Sequence, residues 1–238
     1  MNLYKKIVSG LKKNKNDKVA DGEKRFNKNK VISYGLKTSV LHKVFKQFKK
    51  DIDSLSLKGS FDLVTKFYSS GVQEQIFFGT YILKLKKEDF KKSDLYIINN
   101  VSNYFTSWAV VDNFCIDVLQ PVLLKFPKEI LSLMKDWNKS KNMWRRRASV
   151  VVFVRTIGES GKFTAEGLKL CSNLIWDKED LVQKGVGWAL KDMMRIDKKK
   201  VFNYVKKIRK DGVSSVITLY AIRDLKGKER KEILKIKS

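Results

Sequence analysis

A tryptophan and a carboxylate stand four residues apart in the run Thr106-Ser107-Trp108-Ala109-Val110-Val111-Asp112. At that spacing they share one face of a helix. Arg147, in Trp144-Arg145-Arg146-Arg147, follows Trp108 by 39 residues, and Trp188, in Val186-Gly187-Trp188-Ala189-Leu190, follows Arg147 by 41. Each of these residue types has its own chemistry. An indole face attracts a cation, by about 2 kcal/mol or more once the contact is desolvated. A carboxylate stabilises positive charge that develops in a transition state. An arginine holds a phosphate through paired N–H donors.

The elements that must position these residues follow from the spacing. A step of about 40 residues is the length of one HEAT-type helical pair. Residues one period apart in such a stack line up along one surface. Taken singly, each residue has a plainer reading. Helical tryptophans usually fill cores, and Trp137 and Trp176 are expected there. Asp112 alone would be a solvated or capping acid. Arg145, Arg146 and Arg147 diverge by about 100° per residue on a helix, so they cannot all face one groove.

The chain has 238 residues, 43% of them apolar, enough for one domain or a continuous solenoid. Its net charge is +26. That much positive charge repels itself unless a polyanion is near, and nucleic acid is the leading partner class. Fifteen Lys and Arg face three acids within residues 1–50. His42 is the sole histidine, and Cys115 and Cys171 are the only cysteines. They cannot supply a usual zinc site, and a serine–histidine triad would depend wholly on His42. Both cysteines sit in apolar helical patterns and read as small core residues. No metal or cofactor is expected. No 18-residue apolar run and no signal-peptide pattern stand out. A soluble, intracellular and cytoplasmic monomer, nucleoid-associated when bound to DNA, is the expectation.

Apolar spacing predicts helices throughout. Leu3, Ile7 and Leu11, then Val40, Leu41, Val44, Phe45 and Phe48, mark two amphipathic helices with basic outer faces. Gly35 is a natural turn. Ser60 reads as an N-cap for a helix to Tyr68, ended by Gly71. The next, from Val72 to about Lys86, is expected to bury Ile76, Phe77, Tyr81, Ile82 and Leu85. Another runs from Asp94 to Phe105. Thr106 or Ser107 caps the helix of Trp108 and Asp112, Pro121 falls late in that apolar stretch, and Pro127 opens a helix to Trp137. Met143 to Ile157 reads as one buried helix, despite a valine run that favours strand. Thr164 caps a helix to Trp176. Helices over Leu181–Arg195, from Asp197, and over Val213–Asp224 follow. The fold class is all-α: a superhelical solenoid of HEAT-like antiparallel helix pairs with a concave basic groove, in a single domain over residues 1–238.

The segments Ser107–Asp112, Asn138-Lys139-Ser140 with Trp144–Arg147, and Leu181-Val182-Gln183-Lys184-Gly185-Val186-Gly187-Trp188-Ala189-Leu190-Lys191 resemble the AlkD-like family of DNA alkylation-repair glycosylases. Phe26 and Tyr34-Gly35-Leu36-Lys37 resemble the family's N-terminal aromatic and glycine stretch, and Glu74 falls where the family often has an acid. Ser107 stands where the family often has Asn. Ser39 and His42 stand where a proline and arginines are usual. The resemblance implies a C-shaped stack of HEAT-like repeats holding double-stranded DNA with alkylated bases. It implies excision of cationic purines such as N3-methyladenine and N7-methylguanine. It implies Asp112, Trp108 and Trp188 as the catalytic set, and Arg147, Arg146, Lys37, Phe26 and Lys184 as DNA contacts.

Such a lesion is already charged, and its departure leaves positive charge on the deoxyribose. Asp112 would stabilise that oxocarbenium-like sugar and position a water. The two indoles would face the cation, and Arg147 a flanking phosphate. No pocket-forming insertion is evident, and the resemblance suggests removal without base flipping. Two rivals remain. One is a HEAT-like protein that binds nucleic acid without catalysis. The other is a protein–protein scaffold, against which the charge argues.

Overall fold

The computed structural model describes residues 2–27 and 31–236. Lys28 and Lys30 of the basic N-terminal run, and Lys237 of the tail, lie outside them. The described residues are helical, with no strand among them; one isolated parallel bridge joins Ile32 and Val72. They fall into two compact units, 1–121 and 122–238.

The first unit holds α1 (Leu3–Lys13), α2 (Asp17–Phe26), α3 (Thr38–Gln47), α4 (Lys49–Asp53), α5 (Leu57–Ser69), α6 (Gln73–Lys86), α7 (Tyr96–Val101) and α8 (Trp108–Phe114). Its centre is the packed pair α5 and α6. Val64, Phe67 and Tyr68 meet Ile76, Phe78 and Ile82 there, all fully buried. Each such side chain contributes roughly 1.5–3 kcal/mol by leaving water. The Tyr68 hydroxyl and Thr80 Oγ1 lie 2.6 Å apart in that core.

Several boundaries differ from the sequence reading, for local reasons. Helix α5 starts one turn earlier than expected, because Ser56 and not Ser60 accepts the first amide, that of Gly59. Ser60 is buried inside the helix and donates back to the Ser56 carbonyl. Helix α6 is buried nearly all round, so Phe78 and Leu83 enter the core while Phe77, Tyr81 and Leu85 stay half-buried. The expected helix over Asp94–Phe105 is one α-helical stretch, α7, between two 3-10 turns at Lys92–Leu95 and Ser102–Tyr104.

A π-helical turn, Cys115–Leu119, follows α8 and leads into α9 (Gln120–Lys125). The Gln120 amide reaches back five residues to the Cys115 carbonyl. This wider turn admits Pro121, whose missing N–H and bulky ring would strain a regular α-turn.

The second unit holds α10 (Pro127–Asn138), α11 (Met143–Val151), α12 (Arg155–Ser160), α13 (Thr164–Ser172), α14 (Asp180–Met193), α15 (Lys198–Lys210), α16 (Ser215–Ala221) and α17 (Gly227–Leu234). Pro127 opens α10 at its first position, where a missing N–H costs nothing. Helix α14 is central, packed on α11 and α16. Gly187 permits the second contact: a Cβ there would lie 2.9 Å from the Ile217 carbonyl oxygen and 2.7 Å from Tyr220 Cβ.

The helix expected over Met143–Ile157 is two helices. It breaks after Val151, and α12 restarts at Arg155, whose φ is +48°. The buried carboxylate of Asp192 takes the Arg155 amide at 2.7 Å, a bond a continuous helix would have used internally. Phe163, not Thr164, is the N-cap of α13, which ends at Ser172, short of Trp176. Cys115 and Cys171 are both buried, as their apolar settings predict. Trp137 is in the core, but Trp176, also expected there, is 64% exposed on the α13–α14 connection.

Candidate functional site

In the first unit, Trp108 is the first residue of α8 and Asp112 lies one turn on. Trp108 is 37% exposed and Asp112 only 8%. The helix start is fixed by Ser107, whose Oγ accepts from the Val110 amide at 3.3 Å and donates to Gln73 Oε1 at 3.1 Å. Of the two capping candidates, Ser107 is the cap. Thr106 Oγ1 is buried without a hydrogen-bond partner.

The Ser107–Gln73 bond begins a longer chain. Gln73 Nε2 donates to Glu23 Oε2 at 3.2 Å, and Ser33 Oγ also hydrogen-bonds that carboxylate oxygen. Ser33 Oγ lies 2.8 Å from Glu74 Oε1, and the buried Glu74 also accepts the amides of Tyr34 at 2.9 Å and Leu36 at 3.0 Å. The start of the Trp108 helix is thus tied to the loop that delivers Lys37. Lys37 is exposed at the N-cap of α3. Phe26, the last residue of α2, is 75% exposed.

In the second unit, Arg147 of α11 is buried and donates through Nη1 to the Leu181 carbonyl in the first turn of α14. Its Cγ lies 3.5 Å from the position a Cβ on Gly185 would take. Leu181, Lys184, Gly185 and Trp188 form one stripe of α14 at helical spacing. Lys184 is exposed and pairs with Asp180 at 2.8 Å. Trp188 is half-buried, with the Arg155 guanidinium 5.6 Å above its ring.

Arg146 faces elsewhere. Its Nε and Nη2 hold Asp177 at 2.6 and 3.3 Å, and Nη1 reaches the Ser140 and Lys141 carbonyls at 2.9 and 3.0 Å. Most of its donors serve the protein, and they fasten the α13–α14 connection to the start of α11. Of the arginine run, Arg147 is the one turned onto α14.

The sequence profile of the DNA alkylation repair enzymes matches residues 7–225. The chain belongs to this family. Membership makes it a DNA repair enzyme. Its fold is that of a predicted DNA alkylation repair enzyme from Enterococcus faecalis, at TM-score 0.79 and 14% identity, over 89% of this chain and 96% of that one. No curated protein matches it. The family resemblance seen in the Trp108, Arg147 and Trp188 segments therefore extends over most of the chain.

Sequence reasoning missed the support of this repair enzyme's candidate site more than the site itself. Gln73, Glu23 and Ser33 carry no motif, and they meet only because α2, α6 and the loop at 31–37 converge. Glu74 had one signal, its place in the family resemblance. Arg155 had none, since nothing local marks a helix break inside a valine run. Among the described residues, no group of three or more His, Cys, Asp or Glu could hold a metal.

Proposed function

We propose that this DNA alkylation repair enzyme is a monofunctional glycosylase that hydrolyses the N-glycosidic bond of cationic alkylated purines, N3-methyladenine and N7-methylguanine, in duplex DNA. The observation that carries the proposal is the pairing of half-exposed Trp108 with sheltered Asp112 on one helix face. A carboxylate at that depth acts through a lower dielectric than one in water, so it stabilises an oxocarbenium-like deoxyribose more strongly. The exposed indole is free to meet a cationic base. The positive charge of the lesion already weakens the bond, so little further machinery is needed, and base flipping is not part of the mechanism.

The recurrence of Trp108, Arg147 and Trp188 at 39 and 41 residues supports HEAT-like helical-pair repeats forming one DNA-binding domain over residues 1–238. Arg147 and Lys184 are proposed phosphate contacts beside Trp188, and Lys37 and Phe26 contacts from the first unit. The net charge of +26 supports affinity that falls steeply with salt. The burial of Asp112 also suits a structural acid, which is the noncatalytic DNA-binding reading. Base release separates the two. Methylated duplex DNA incubated with the protein should liberate free methylpurine, and Asp112→Asn should abolish that while retaining DNA binding.

A further inference from the structure

Arg155 is the one described residue other than glycine with a positive φ. Two features hold its backbone there. The Asp192 carboxylate accepts its amide at 2.7 Å. The turn is also closely packed, since a Cβ on Gly158 would lie 2.5 Å from the Phe153 carbonyl oxygen and 3.0 Å from Asp192 Cβ. Glycine would take this conformation without strain, and its amide would bond Asp192 equally well. The backbone therefore gives no reason for an arginine at this position.

Among the described residues, no acid pairs with the side chain either. Glu159 is hydrogen-bonded by Arg195, and Asp224 lies 2.6 Å from Arg195 and 3.4 Å from Lys191. Lys191 Nζ also stands 2.8 Å from Asp192 Oδ1, though out of hydrogen-bond alignment. The three acids of this corner are thus matched to Lys191 and Arg195. The exposed Arg155 guanidinium lies over the indole of Trp188 instead, 5.6 Å from its ring centroid. An arginine held over an aromatic face by a cation–π contact spends no N–H donor on it, which leaves the fork that fits a phosphate available.

We propose that Arg155 is a DNA phosphate-binding residue, preset by its left-handed backbone and by its place over the Trp188 ring. The inference rests on the DNA-binding part of the function proposed above and not on base excision. It has a consequence for Trp188: one indole face is already taken by a cation of the protein, so a cationic base meets the other.

The test is binding of undamaged duplex DNA across a salt series, comparing the unmodified protein with Arg155→Gly and Arg155→Lys. Because glycine suits the backbone, Arg155→Gly should unfold at the same urea concentration as the unmodified protein or higher. It should bind more weakly at low salt, with the slope of log K against log salt shallower by about 0.9, the loss of one phosphate contact. Arg155→Lys should keep the slope. An Arg155→Gly protein with unchanged slope and affinity overturns the proposal, as does an unmodified protein that binds no duplex. Absent base release would overturn the glycosylase reading alone, since this measurement uses no lesion.

Discussion

Ser107 and Gln73 are joined by a hydrogen bond of 3.1 Å, buried on both sides, which couples the first turn of α8 to the first turn of α6. Ser107 also caps the helix that carries Trp108 and Asp112. Its hydroxyl therefore sets where both candidate catalytic side chains begin. Ser107→Ala removes the cap and strands the Gln73 oxygen. A loss of about 1–2 kcal/mol in urea unfolding is expected, with a fall in base release larger than the fall in DNA affinity. Ser107→Thr should recover most of both. An alanine variant with full activity would show that the cap does not position the site.

Arg146 and Lys184 should separate stability from binding. Arg146 holds Asp177, whose side chain is 6% exposed, so Arg146→Ala leaves a nearly buried carboxylate with the Glu179 amide but without its charge partner. About 2 kcal/mol of stability should be lost. Lys184 shares only an exposed pair with Asp180, worth well under about 1 kcal/mol. Lys184→Ala should leave urea unfolding nearly unchanged and make the salt dependence of DNA binding shallower. The reverse pattern would exchange their roles.

Much of this arrangement is legible in the sequence, and the limits are physical. Trp108 and Asp112 fall on one helix because a four-residue spacing is a local property, and Pro127 marks a helix start for the same reason. The exposure of Trp176 is not legible, because burial depends on what the connection after α13 packs against, which no local pattern records. The break before Arg155 was invisible because the carboxylate that captures its amide lies 37 residues away, at Asp192. Ser56 and Ser60, four residues apart, are equally good caps by sequence until the fold chooses between them.

Gly187 is required by the α14–α16 contact. Gly187→Ala would drive a methyl group into the Ile217 carbonyl and Tyr220. Overpacking of this kind costs about 1–3 kcal/mol. The thermal midpoint should fall, and because Trp188 is the next residue, activity should fall with it. A variant as stable as the unmodified protein would show that α16 yields readily.

Burial of Tyr68 raises its hydroxyl well above the ordinary tyrosine value near 10. The folded state thus resists its ionisation. The stabilisation is complete below the unfolded value and is lost as pH rises beyond it toward the folded one. Urea unfolding should therefore become easier from about pH 10 upward. Tyr68→Phe loses the Thr80 contact and is less stable at neutral pH, yet its stability should decline less steeply in that alkaline range. Parallel declines would assign the alkaline loss to other groups.

The most direct test of the central claim is release of 3-methyladenine and 7-methylguanine from methylated duplex DNA by the unmodified protein and by Asp112→Asn. A glycosylase centred on Asp112 liberates both bases, and the variant liberates almost none while binding the duplex as before. A well-folded protein that binds DNA and releases no base contradicts the glycosylase assignment, and undiminished release by the variant removes Asp112 from the chemistry.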